Sequence, residues 1–264
     1  MKAWDNAKRP KLCKLQLNRR LCAVVGEKLL LKWAPEQISG WLKQKYSSDP
    51  SMNISHEAIY RTLLVPSRAC LEKSLIRNLR TKRKMRQPRQ FNTKGVPRGQ
   101  SFEHLSIHDR PPEVENRSTF GHWEGDLTCG SKNSHIATLG ERKSTFTLLL
   151  RLKGKEATSV TTALVARLSE LPDTFKQSIT WDRGPELASH HEITQFTNIA
   201  VYFCDPQSPW QRGTNENTNG LLRQYFPKKT NLSCYTQKYL DEVAKELNQR
   251  PRKVLGYNSP EEVS

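Results

Sequence analysis

Near residue 119 the apolar residues change their spacing, from the three-and-four intervals of helices to short runs of strand length. That switch constrains the fold more than any other feature, because a sheet that is apolar on its faces must be covered by helices. Residues 120–128, 136–139 and 146–152 read as strands, with Glu141-Arg142-Lys143-Ser144 as a hairpin turn between the last two. Residues 155–171 read as a helix with Val160, Leu164, Leu168 and Leu171 on one face. A strand over 178–181, a helix over 185–198 and a strand over 200–204 follow. A loop with Pro and Gly at 205–213 then leads to a helix around Glu216, and a last helix covers 236–249. Three strands followed by alternating helices and strands predict an α/β fold, a mixed five-stranded sheet flanked by helices.

The first 66 residues have a different pattern. Residues 21–33 are helical, and Ala34-Pro35-Glu36 starts a new helix with Ile38, Trp41 and Leu42 along one face. After a break at Ser47-Ser48-Asp49-Pro50, Ser55 is placed to cap a helix over 56–64 whose apolar positions are Ala58, Ile59, Leu63 and Leu64. Two short amphipathic helices suit a small all-α helix-turn-helix region, although the link is longer than a tight turn. A plain helical hairpin fits the same pattern. In the first case Ser55, His56, Glu57, Tyr60 and Arg61 line the exposed side of a recognition helix. The chain is therefore read as a helical region (1–66), a basic linker (67–118) and a catalytic domain (119–264).

Charge is distributed unevenly. Residues 1–100 hold 23 Lys/Arg against 6 Asp/Glu, whereas residues 101–264 hold 20 of each. Arg77, Arg80, Lys82, Arg83, Lys84, Arg86 and Arg89 occur in the linker with no acid between Glu72 and Glu103. Such a block repels itself and is expected to stay extended until phosphate neutralises it. Concentrated positive charge points to a polyanion without choosing among DNA, RNA and a membrane surface. No apolar run approaches the roughly 18 residues that a membrane span needs. The six cysteines form no C-x-x-C pair and read as reduced thiols, and a cytoplasmic location is expected.

Three acids sit where chemistry is plausible. Asp126 ends a strand in Trp-Glu-Gly-Asp-Leu-Thr, Asp182 follows a strand in Thr-Trp-Asp-Arg-Gly, and Glu216 opens a helix. Attack on a phosphodiester places negative charge on the entering and leaving oxygens, and two divalent ions about 4 Å apart can stabilise both. Magnesium takes oxygen ligands, typically carboxylates with water and substrate phosphate. By number alone, three acids at element ends in a region with 20 Asp/Glu could be coincidence.

The surrounding residues are more specific. Gly121-His122-Trp123-Glu124-Gly125-Asp126, Thr180-Trp181-Asp182-Arg183-Gly184 and the string Ser208-Pro209-Trp210-Gln211-Arg212-Gly213-Thr214-Asn215-Glu216-Asn217-Thr218-Asn219 match three acidic motifs. With them, residues 120–264 resemble the catalytic domain of DDE transposases of the insertion-sequence-thirty family. The 33 residues separating Asp182 from Glu216 agree with that pattern. The resemblance implies a ribonuclease H-like fold shared with retroviral integrases. It also implies two magnesium ions, replaceable by manganese, on Asp126, Asp182 and Glu216, which cut and transfer DNA strands. Arg223 matches a basic position that contacts DNA in the family, and a solvated helix arginine is the plainer reading.

Arg212, Asn215 and Asn219 surround Glu216 and are candidate contacts to a DNA end, as are Arg61, Arg80, Lys82, Arg83, Lys84 and Arg86 for phosphates. Glu124 and Glu186 lie near the ligand acids and read as ordinary exposed charges before groups that support those ligands, and Trp123, Trp181 and Trp210 read as packing before base stacking. The implied partner is double-stranded DNA, both element ends and target, bound by a homodimer or higher assembly of a nucleoid-associated bacterial protein. Residues 33–66 resemble the helix-turn-helix before the family's catalytic domain, and a further DNA-reading unit that usually comes first is missing. Chemistry with impaired end recognition is one expectation. A truncated, inactive DNA-binding regulator of transposition and a structure-specific nuclease of the same fold are the alternatives.

Overall fold

The computed structural model describes residues 12–65, 70–80 and 105–264. Lys82, Arg83, Lys84 and Arg86 lie outside them. The described residues fall into two compact units, one comprising 12–65, 70–80 and 250–259 and the other 105–249 and 260–264. No helix among them is long and apolar enough to cross a membrane.

The first unit is helical. Its helices are α1 (Lys14–Leu17), α2 (Arg19–Leu30), α3 (Pro35–Lys45) and α4 (His56–Leu64). Leu21, Val25 and Leu29 recur every four residues along α2 and meet Ile38, Leu42, Ile59 and Leu63 in one core. The Asn18 side chain accepts from Leu21 N–H at the start of α2, and Ser55 Oγ accepts from Ala58 N–H at 3.2 Å at the start of α4. Along α4, Thr62 is buried while Leu64 faces solvent, because Leu64 falls off the stripe that Ile59 and Leu63 define. The link between α3 and α4 carries a 3-10 turn, Pro50–Met52, with Met52 in the core.

Over residues 70–80 the linker is not extended, and its described residues 105–118 belong to the second unit. Leu71, Leu75 and Leu79 join the core of the first unit around a 3-10 turn over Lys73–Asn78, and Lys73, Arg77 and Arg80 are exposed. Burial of three leucines four residues apart outweighs the mutual repulsion of the basic side chains, which stay in water. Residues 250–259 also belong to this unit, although their position after the last helix assigned them to 119–264. Gln37 Nε2 donates to Pro251 O at 2.7 Å, Lys253 Nζ is paired with Glu36 at 2.8 Å, and the Tyr257 ring fills the space beside Gly40.

The second unit is built on one sheet of six strands, β1 (Leu105–Ser106), β2 (His122–Cys129), β3 (His135–Glu141), β4 (Thr147–Arg151), β5 (Ser178–Trp181) and β6 (Ala200–Phe203). Their order is β1-β6-β5-β2-β3-β4. The first three of the expected strands form an antiparallel meander, and β5 and β6 add parallel to β2. The sixth strand, β1, pairs parallel with β6. Two residues are too few to leave a periodic signal, which is why the pattern predicted five strands.

The helices of this unit are α5 (Pro112–Glu115), α6 (Ala157–Ser169), α7 (His190–Thr197), α8 (Gly213–Leu222), α9 (Gln237–Asn248) and α10 (Pro260–Val263). Both faces of the sheet are covered, and β4 records it residue by residue. Leu148 and Leu150 lie in the core with Val160, Leu164 and Leu168 of α6, whereas Leu149 lies in the core with Leu221, Leu222, Leu240 and Leu247 of α8 and α9. Alternate residues of a strand point to opposite faces, so three consecutive leucines serve two helical layers. The helix expected over 185–198 begins as a 3-10 turn, Pro185–Leu187, and only its second part, α7, is α-helical.

Candidate active site

Strand alternation selects what β2 offers to each layer. Trp123 belongs to the core on the α6 side and Leu127 packs against it, so Glu124, Asp126 and Thr128 point toward α8. Gly125 is required beneath them, because a β-carbon there would collide with the ring of Trp181. The parallel pairing of β2 with β5 matches His122 with Ser178 and Glu124 with Thr180. Asp182 follows the last residue of β5 directly, so that pairing carries it to the same end of the sheet as Asp126. The meander and the α6 crossover supply the 55 residues that separate the two acids.

Arg212 lies between these carboxylates. Its Nη1 is 3.3 Å from Asp126 Oδ1 and its Nη2 is 3.1 Å from Asp182 Oδ2, while Nη1 also donates to Gly125 O at 2.9 Å. Asp126 is further held by Asn219, whose Nδ2 donates to Oδ2 at 2.8 Å, and by Leu127 N–H, which donates to Oδ1 at 2.9 Å. Burial pushes the Asp126 carboxyl above its ordinary range, Arg212 opposes the rise, and Asp182 adds to it. Burial also works against the Arg212 charge, but Asp182 and Asp126 outweigh it and hold the guanidinium above its usual value. Asp182 Oδ1 is buried without a hydrogen-bond partner.

Glu216 is exposed on α8. That helix is fastened to the sheet on either side of it. Asn215 is 1% exposed, its N–H donates to Glu124 Oε2 at 3.1 Å, and its Nδ2 donates to the carbonyls of Glu124 and Thr138. Asn219, three residues beyond Glu216 and so on a neighbouring part of the helix surface, reaches Asp126 and Thr128. Among the described residues, no three His, Cys, Asp or Glu side chains converge as a metal-binding group. The structure thus brings Asp126 and Asp182 together, with a cation across them, and places Glu216 at the surface of the helix beside them.

Other expected site residues divide by exposure. Arg223 is exposed at the end of α8, and Arg61 and Arg80 are exposed in the first unit, Arg61 with Glu57 at 3.4 Å. Asn215 does not face solvent, so its proposed contact with a DNA end is replaced by a structural role against β2 and β3. Glu124 is not an exposed charge either. It is fully buried and paired with Arg142 at 2.6 Å, and Arg142 Nε donates to Val114 O at 3.0 Å. Its alternation with Asp126 in β2 was the signal that it shares that face. Glu186 is half-buried near Asp182, accepts from Trp181 Nε1 at 3.3 Å, and is raised by burial and then by the Asp182 charge.

The donor chemistry fits a hard divalent cation. Two carboxylates share one face, already balance a positive group between them, and leave one buried oxygen, Asp182 Oδ1, without a donor.

A family model described as an integrase core domain matches residues 116–209, which include Asp126 and Asp182. Transposase InsI for insertion sequence element IS30C of Escherichia coli K12 is 53% identical over 259 residues, covering 97% of this chain and 67% of that protein. The chain belongs to the IS30 family of transposases. The chain is also similar to the transposase for IS1086 of Cupriavidus metallidurans, 46% identical with 97% of this chain and 75% of the relative covered. The transposase for IS4351 of Bacteroides fragilis is 37% identical, with coverages of 89% and 70%. The catalytic core domain of BIV integrase covers 54% of this chain at 18% identity and a TM-score of 0.42, a likeness too loose to bear on function.

Proposed function

We propose that this IS30-family chain cleaves DNA at insertion-sequence ends and joins the freed 3′ ends to target DNA, with Asp126, Asp182 and Glu216 as its acidic triad. The observation that carries the reading is the meeting of Asp126, in β2, and Asp182, directly after β5, on the single guanidinium of Arg212. Asp126, Asp182 and Glu216 would hold magnesium, two ions in all, with manganese able to replace it. Bound there, the metal would stabilise charge on the entering and leaving phosphodiester oxygens and lower the pKa of an attacking water or hydroxyl.

The chain's own residues have separable tasks. Asn219 fixes the direction of Asp126. Glu216 meets the substrate from the open side of α8, and Arg223 lies further along that helix. Arg212 can exchange a carboxylate oxygen for a phosphate oxygen, since a guanidinium pairs with both. Water serves as nucleophile for cleavage and a DNA 3′-hydroxyl for joining, so no covalent protein–DNA intermediate is required. The first unit acts as the DNA-binding region, with Arg61 and Arg80 toward phosphates, and a dimer or larger assembly brings two ends together.

A strand-transfer assay with labelled element ends and magnesium tests the reading. Wild type should cut and join, and Asp182→Asn should do neither while still binding DNA. Equal product from both proteins would overturn it.

A further inference from the structure

The three tryptophans beside the acidic motifs differ in exposure. Trp123 and Trp181 are buried, and Trp210 is 73% exposed. An indole carries roughly 150–250 Å² of mainly apolar surface, so its stable display in water is unusual for a residue with only a packing role. The two residues that follow it are fixed. Gln211 accepts from Asp205 N–H at 2.9 Å and donates to Asp205 Oδ2 at 2.8 Å, while Arg212 is held by Asp126 and Asp182. The turn Pro209–Arg212 is therefore anchored just after Trp210, whose indole is exposed.

Trp210 also lines a cavity of about 260 Å³ together with Arg110, Glu115, Arg117, Glu124 and Arg142. That is smaller than the roughly 300–1,000 Å³ of sites for drug-sized ligands and suits a single planar ring system. Its walls are polar, and two of its three arginines are paired with glutamates of the same lining, Arg110 with Glu115 and Arg142 with Glu124. Arg117 is exposed, and Arg110, whose side chain is 3% exposed, keeps a buried Nε without a partner. A flat, exposed aromatic face beside a polar cavity of ring size is what an unstacked nucleobase requires.

We propose that this cavity receives one unpaired nucleobase of the DNA substrate, stacked on Trp210, next to the phosphodiester that Asp126 and Asp182 act upon. The proposal rests on the catalytic reading above and adds to it that the terminal base pair is opened. Trp210 is then a positioning residue that holds the strand through its base, independently of sequence.

The full chain, with calcium in place of magnesium to prevent turnover, is titrated with two duplexes. One is fully paired and the other ends in one unpaired 2-aminopurine. Wild type should prefer the unpaired end by roughly tenfold and quench its emission, since stacking one base on an aromatic side chain is worth about that much. Trp210→Ala should lose both effects, and Trp210→Phe should retain most of each. Equal preference in wild type and Trp210→Ala would overturn the proposal, as would a change confined to self-association. Magnesium-dependent cleavage, measured with Asp182→Asn as control, separates the two readings. Cleavage without quenching defeats only the stacking site, and quenching without cleavage defeats only the catalytic reading.

Discussion

Arg212 and Asp182 are joined by a 3.1 Å contact between Nη2 and Oδ2, and the same guanidinium lies 3.3 Å from Asp126. A divalent ion and this side chain require the same oxygens. Arg212→Gln should therefore bind manganese about tenfold more tightly than wild type, the size of a typical coupling between competing ligands. In chelator the same variant should be less stable by about 1–3 kcal/mol, between the values for exposed and buried ion pairs, because two neighbouring carboxylates lose their counter-charge. Calorimetric titration and thermal melting with and without manganese measure both. Unchanged affinity would show that arginine and ion do not compete.

Asn219 touches Asp126 but is not itself an acid. Asn219→Ala should weaken manganese binding about 10–100-fold, as is usual when a partner that orients a metal ligand is removed. The stability cost should be only about 1 kcal/mol, the net worth of one hydrogen bond. A large drop in melting temperature with unaltered metal affinity would assign Asn219 to packing instead.

His122 lies at the start of β2, with Nδ1 2.7 Å from Ser178 Oγ and Nε2 3.0 Å from Thr119 Oγ1. Burial lowers its pKa below the ordinary 6.5, with Arg142 and Arg110 contributing in the same direction and Glu113 opposing them. The folded state thus resists a proton that the unfolded chain accepts. Stability from this group is complete above 6.5 and falls as pH drops toward the depressed folded value. Urea midpoints should decline between pH 7.5 and 5.5 in wild type and decline less in His122→Gln. Parallel decline in both would assign the loss to other groups, His135 among them, which is shifted the same way.

Gly125 has a single acceptable neighbour arrangement, because the Trp181 ring occupies the position of any β-carbon. Gly125→Ala should destabilise the second unit by about 1–3 kcal/mol, the usual cost of overpacking. It should also disturb the pairing of β2 with β5 that carries Asp126 and Asp182 to the same end of the sheet. Denaturant unfolding would reveal it, and a wild-type midpoint would show that the indole can move aside.

Local pattern made much of this architecture readable. Residues 178–181 read as a strand and β5 is Ser178–Trp181, and Val160, Leu164 and Leu168 read as one face and occupy one core. What stayed illegible was direction and distance. Arg212 and Asn215 sit among polar residues that look as if they should meet DNA, yet one turns to Asp126 and Asp182 and the other under Glu124 and Thr138. Motif spacing does not say which way a loop side chain faces. Glu124 was within reach of the pattern, since its parity with Asp126 in β2 sets both on one face, but its partner Arg142 lies across a hairpin. The return of residues 250–259 to a unit that begins two hundred residues earlier leaves no periodic trace at all.

That return has a practical corollary for anyone wishing to isolate the helical unit. A fragment ending at residue 89 would lack Tyr257 over Gly40 and the partners of Gln37 and Glu36, leaving a raw patch along α3. A faithful excision would graft the closing decapeptide back on through an artificial tether, as in a circularly rearranged gene.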